Sequence, residues 1–206
     1  RLSQNMRSAF GKVLRIDPLG TSAANKQYGI PPSNPFVKTP NALPEIYAYG
    51  VRNPQRFGWD PRDGRMFLAD IGQNIVEEIS PVTAGANLGW NDWEGSYRYI
   101  SRSAVSSESP RSDPAVTYPV AEWGQADPLL QANSAATGVI VYRGSEIPQL
   151  ANLLLFADMP SGEMFYVHAD KLPAGGQSAI RRVLFVKDGA TRTMLELVRE
   201  KNAAQG

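Results

Sequence analysis

A chain of 206 residues is long enough for one large domain or two small ones. Its 21 basic and 20 acidic residues leave a formal charge of +1 and are scattered, so nothing points to nucleic acid or an anionic membrane as a partner. Zero cysteines exclude disulfides, thiolate metal sites and cysteine nucleophiles, and no apolar run approaches the roughly 20 residues of a membrane helix.

Gly (18) and Pro (16) make about a sixth of the chain, above the roughly 12% average and short of the disordered range. Such evenly spread punctuation suits many short strands joined by turns. In chain order, "GKVLRID" (11–17) reads as a strand that stops at Pro18, and residues 18–44 read as one long ordered loop. Short strands are expected at "EIYAYGV" (45–51), "RFGWD" (56–60), "MFLADI" (66–71) and "EEISPV" (77–82), with hairpin turn chemistry in "DPRDG" (60–64). Residues 101–114 carry almost no apolar content and read as an exposed polar excursion. Strand signals resume at "AVTYPVAEW" (115–123), "TGVIVYRG" (137–144), "NLLLFADM" (152–159), "EMFYVHAD" (163–170) and "AIRRVLFVKDG" (179–189). Residues 190–206 lose the strand pattern and form a tail, helical or frayed.

Two units share a plan: "RFGWDPRDGRMFLADIG…EEISPV" and "GVIVYRG…NLLLFADMPSGEMFYVHAD". Each sets short strands about 8–12 residues apart, with a tight turn and an Asp after the most apolar strand. Repeats of about 40–50 residues are the sequence form of an all-β propeller; on pattern alone a β-sandwich stays open.

Three groups carry candidate chemistry. In "RNPQ", Arg52 offers a planar fork suited to carboxylates, Asn53 and Gln55 add directional donors and acceptors, and Pro54 holds Asn53 toward extended backbone. The group either faces an anionic or carbonyl-bearing ligand or is a capped turn with Arg52 paired to an acid. In "DIGQNIVEEI" (70–79), Gly72 permits a turn that exposes carbonyls, and Asp70, Glu77 and Glu78 are hard oxygen ligands of the kind calcium takes; the alternative is solvated charge on a strand edge. Trp90, Trp93, Tyr97 and Tyr99 either stack on a flat ligand or fill a core. His168, the only histidine, has no partner histidine or cysteine, and a structural or surface role is expected. No GxSxG, Walker A or GxGxxG pattern is present.

The order "GKVLRIDP", "PEIYAYGVRNPQRFGWDP", "MFLADIGQNIVEEI", "GANLGW" and "TGVIVYRG…LLLFADMPSG" resembles the soluble quinoprotein glucose/sorbosone dehydrogenases of the aldose sugar dehydrogenase type. That resemblance implies a six-bladed β-propeller, of which three to four blades fall in residues 1–206. It implies the cofactors PQQ and calcium, a small-molecule sugar substrate oxidised at C1 by hydride transfer, an external electron acceptor, and a periplasmic or secreted location. It assigns cofactor contacts to Arg52, Asn53, Gln55 and Tyr99, a cofactor-side calcium to the carbonyls of Gly72 and Gln73, and a structural calcium to Glu78 and the Leu88 carbonyl. The family's catalytic histidine is expected upstream of this chain, whose start at Arg1 also implies a processed or truncated N-terminus. "GNYGW" of the family reads "GANLGW" here, and Pro160 replaces a basic residue of its glucose enzymes. A non-catalytic propeller of the same lineage, binding a protein or carbohydrate, is the alternative. In either case an incomplete propeller is expected to leave an open edge that favours self-association.

Overall fold

The computed structural model describes residues 2–128, 130 and 134–205. Strands β1 (Lys12–Leu14) and β2 (Ile46–Tyr49) form an antiparallel ribbon around the turn-rich 18–44 segment. β3 (Pro54–Trp59), β4 (Met66–Asp70) and β5 (Val76–Val82) form a meander. A three-stranded insertion, β6 (Trp93–Glu94), β7 (Tyr97–Ser101) and β8 (Ala104–Ser106), precedes β9 (Ala121–Gly124), which completes a sheet of order β3-β4-β5-β9. A second four-stranded meander follows: β10 (Ala136–Tyr142), β11 (Leu153–Asp158), β12 (Met164–His168) and β13 (Arg181–Arg182). The ribbon β14 (Leu184–Lys187) and β15 (Ala190–Thr193) leads into helix α1 (Met194–Ala203). Thr193 and Glu196 close a reciprocal capping box at its start.

Alternation along the central strands explains the stacking. On β4, Phe67 and Ala69 enter one core while Met66 and Leu68 enter another. On β11, Leu154 and Phe156 join Phe67 and Ala69, while Leu153 and Leu155 face Val183 and Phe185. Successive side chains of a strand point to opposite faces, so a strand apolar at every position is one covered on both sides. Sheets packed face to face in sequence order are propeller blades, here two whole ones flanked by two ribbons. Gly58 marks the contact between the first strands of the two blades, where an added Cβ would lie 2.5 Å from the Val139 carbonyl oxygen.

The blades are tied at both ends. Glu77, on the first blade, accepts the Ala136 N–H at 2.5 Å, at the start of the second. At the other end Asp60, fully buried in the β3–β4 turn, receives two bonds from Arg143 and one from Arg65. Arg143 also reaches Asp170 at 2.7 Å and Asn152 at 2.6 Å.

Several expected elements differ: the strand read over 11–17 spans only Lys12–Leu14, and residues 190–193, read as part of the tail, form β15. The 115–123 run pairs only from Ala121, because Thr117 N–H bonds to Asn87 and Pro119 precedes the ladder. The 179–189 run breaks at Val183, which turns into the core between β13 and β14. Within the 101–114 segment, β8 pairs back on β7 and Arg111 returns to bond Ser96 and the Pro119 carbonyl.

Candidate functional site

The "RNPQ" turn enters β3 next to the end of β4, since Pro54 faces Asp70 across the ladder. Asp70 uses both carboxylate oxygens on this turn: Oδ2 accepts the Arg52 N–H at 2.8 Å and Oδ1 the Asn53 N–H at 2.6 Å. The Ile71 N–H in return donates to the Asn53 carbonyl. The backbone of Arg52 and Asn53 is thereby fixed, and their side chains are presented outward. Arg52 donates through one NH1 hydrogen to the Ile71 carbonyl at 2.9 Å and through Nε to Gln73 Oε1 at 3.2 Å. A guanidinium has five donors, so these two bonds orient the group without exhausting it. Its planar face lies 5.9 Å from the Trp90 ring centroid, and Trp90 meets Tyr99 edge-on at 4.8 Å. Cation, indole and phenol form one continuous wall.

Beside this wall, residues 72–76 make a tight loop. Gly72 is obligatory, because a Cβ there would stand 1.7 Å from the Val76 carbonyl oxygen. The N–H groups of Gln73, Asn74, Ile75 and Val76 all donate to Glu94 Oε1, at 2.8–3.2 Å. Gly72 N–H donates to Glu77 Oε1, and Gln125 Nε2 bonds both the Gly72 carbonyl and Glu77. Arg52, Asn53, Ile71, Gly72, Gln73, Asn74 and Gln125 line an open cleft of about 550 Å³, within the size range of small-molecule sites.

Beneath the cleft, Asp70, Glu78 and Glu122 stand in register across β4, β5 and β9. Burial pushes the Asp70 carboxyl up to about 6 and that of Glu77 up to about 7. Glu78 is raised well above the usual range, by burial first and then by Asp70, Glu122, Glu77 and Glu94 around it. Its Oε2 is buried without a hydrogen-bond partner. An orphaned buried carboxylate oxygen among other acids suits either a proton or a bound cation. The described residues contain no group of three His, Cys, Asp or Glu side chains able to enclose a metal, so a calcium here would take backbone oxygens as well.

The structure therefore brings Arg52, Asn53, Gly72 and Gln73 to one cleft, with Tyr99 joined to it through Trp90. Gln55 lies one step down β3 at the bulge, outside the cleft lining. Glu78 sits below, and the Leu88 side chain packs in the core with Ala48, Val51 and Leu68. Among the described residues no acid forms an ion pair with the Arg52 guanidinium; Asp70 holds its backbone instead. His168 is exposed and pairs with Leu153 at the Arg143 end of its blade, far from the cleft. No local sequence signal marks Glu94 and Gln125, because their partners lie 18–21 and 48–53 positions away.

The family model for glucose/sorbosone dehydrogenase matches residues 1–195. The chain belongs to that family. Among its relatives, the HIPL2 protein of Arabidopsis thaliana is 34% identical over 79% of this chain and 25% of its own length. The aldose sugar dehydrogenase YliI of Escherichia coli is 25% identical over 92% of this chain and 47% of its own. The chain thus spans about a quarter to a half of these relatives. The PQQ-bound aldose sugar dehydrogenase of Streptomyces coelicolor superposes with a TM-score of 0.57 at 24% identity, covering 88% of this chain and 41% of that one. This likeness establishes the shared fold, a partial β-propeller of the family. No helix among the described residues is long and apolar enough to cross a membrane.

Proposed function

We propose that this chain supplies the cofactor-holding wall of a PQQ- and calcium-dependent sugar dehydrogenase that oxidises the C1 hydroxyl of an aldose. The observation that carries the reading is the Asp70 clamp, which sets Arg52 and Asn53 side by side at a cleft shared with the Gly72–Gln73 loop. Arg52 offers the remaining guanidinium donors to carboxylate or quinone oxygens, and the Asn53 and Gln73 amides add directional bonds. The carbonyls of Gly72 and Gln73 supply hard oxygens for a cofactor-side calcium, and Glu78 with the Leu88 carbonyl holds a structural one. Tyr99, behind Trp90, closes the flat wall, and Gln55 lies at its margin.

When bound, PQQ supplies the two-electron acceptor for the sugar's hydride, and calcium polarises it. The chain's own part is to bind, orient and stabilise: Arg52 places fixed positive charge where negative charge develops on the acceptor. His168 lies at the other end of its blade from the cleft, so in this reading the hydroxyl proton goes to a base other than His168. The sugar, an external electron acceptor and a periplasmic or secreted setting enter this reading through the family resemblance only.

The test is equilibrium titration of PQQ, with calcium, into the protein and its Arg52→Ala variant. Loss of a charged hydrogen bond is expected to weaken binding by about 1.5–3 kcal/mol. Unchanged affinity removes Arg52 from the site. A folded protein with no PQQ affinity favours the non-catalytic binding propeller.

A further inference from the structure

Four consecutive N–H groups, those of Gln73, Asn74, Ile75 and Val76, converge on one oxygen of Glu94, a residue 18–21 positions later in the chain. Glu94 is 3% exposed, and its second oxygen is buried with no partner. An orphaned carboxylate oxygen costs stability, so the residue is not there for efficient packing. Its effect lies in the loop it gathers.

A trans peptide is planar, with its C=O and the following N–H pointing in opposite directions. The Gln73 N–H aimed at Glu94 therefore turns the Gly72 carbonyl away from Glu94. The Asn74 N–H does the same for the Gln73 carbonyl. One step earlier, the Gly72 N–H aimed at Glu77 turns the Ile71 carbonyl outward. The bonds on the outer side agree: the Ile71 carbonyl meets Arg52 NH1, and the Gly72 carbonyl meets Gln125 Nε2. Both acceptors and both donors belong to the wall of the same cleft. Inward N–H groups and outward carbonyls are two sides of one backbone path, which the absence of a side chain at Gly72 allows.

We propose that Glu94 is a positioning residue for the cation site: by collecting the 73–76 N–H groups it holds the Gly72 and Gln73 carbonyls open to the cleft. This rests on the reading that those carbonyls take calcium. Glu94 itself touches neither cation nor cofactor; it acts through the loop.

The experiment compares wild type, Glu94→Ala, Glu94→Gln and Asp60→Asn, the last disturbing the opposite end of the blades. Amide hydrogen exchange of residues 73–76 is read by NMR, and binding of calcium alone by calorimetry, at a temperature where all four are folded. Glu94→Ala is expected to lose protection at these four amides and at least about tenfold in calcium affinity. Glu94→Gln, which keeps an acceptor oxygen, should restore most of the protection and part of the affinity. Asp60→Asn should leave calcium affinity unchanged, and any protection it loses should be spread over the blades rather than confined to residues 73–76. Retained protection in Glu94→Ala overturns the proposal while leaving calcium binding by wild type, and so the dehydrogenase reading, intact. Lost protection with unchanged calcium affinity, or an equal loss of calcium affinity in Asp60→Asn, also overturns it. A wild type that binds no calcium overturns the metal reading itself, and with it the positioning role, whatever the exchange data show.

Discussion

Asp158 does in the second blade what Asp70 does in the first. Each ends the second strand of its sheet, and each turns back to accept N–H groups at the entry to the first strand. Asp70 takes those of Arg52 and Asn53, and Asp158 takes that of Ala135 at 2.8 Å. Asp158 adds the Ser134 hydroxyl and both Ser161 donors. The clamp recurs in both blades; in the first it holds the backbone of an arginine and an asparagine.

This equivalence separates structure from function. Asp70→Ala and Asp158→Ala should each lower stability by about 1–3 kcal/mol, the cost of unsatisfied buried N–H groups, as read by urea unfolding. Only Asp70→Ala should also weaken PQQ binding. Equal affinity losses in the two variants would mean that the cleft merely senses global stability.

The Asp60–Arg143 pair makes a prediction about acid. The arginines hold the Asp60 carboxyl far below the usual carboxylate range, with the Arg143 hydrogen bonds the main cause against opposing burial. A folded-state value below the unfolded one means that the contribution is complete above about pH 4 and is lost as pH falls further. Asp60→Asn should cost about 3–5 kcal/mol at neutral pH, as expected when one partner of a buried pair is removed. Its stability should also fall less steeply below pH 4 than that of wild type. Parallel acid limbs in the two proteins would refute the assignment.

Gly72→Ala tests the loop directly. With its Cβ driven against the Val76 carbonyl, the 72–76 segment cannot keep its path. Exchange protection at 73–76 should drop, and PQQ affinity should fall with it, while the Asp60 end stays intact. Wild-type cofactor binding in a folded Gly72→Ala protein would detach the loop from the site.

β3 is an edge strand that exposes Phe57 (53%) and Trp59 (56%). These rings, 5.3 Å apart, border a groove of about 500 Å³ with Val13, Tyr47 and Met66. Apolar edges promote association. Sedimentation at rising concentration should show self-association, diminished in a Phe57→Ser/Trp59→Ser variant. A strictly monomeric chain at high concentration would sink the idea.

The sequence determined an all-β class, the approximate positions of most strands and, through the resemblance its motifs carry, the expectation of a propeller family, while residue pattern alone left a β-sandwich open. Those depend on local alternation, on turn residues such as those of 60–64, and on an ordered set of short motifs. Local features, a proline-stiffened polar turn and a glycine between strands, also mark Arg52, Asn53 and Gly72, whereas Gln73 is marked only through the family resemblance. Tertiary structure alone decided how they are held. Asp70, Glu94 and Gln125 act across 17–53 positions of chain, through a ladder register and a sheet insertion that no local periodicity encodes. It decided too that Glu78 lies buried among acids and that His168 faces away, because strand direction assigns each residue to one end of its blade.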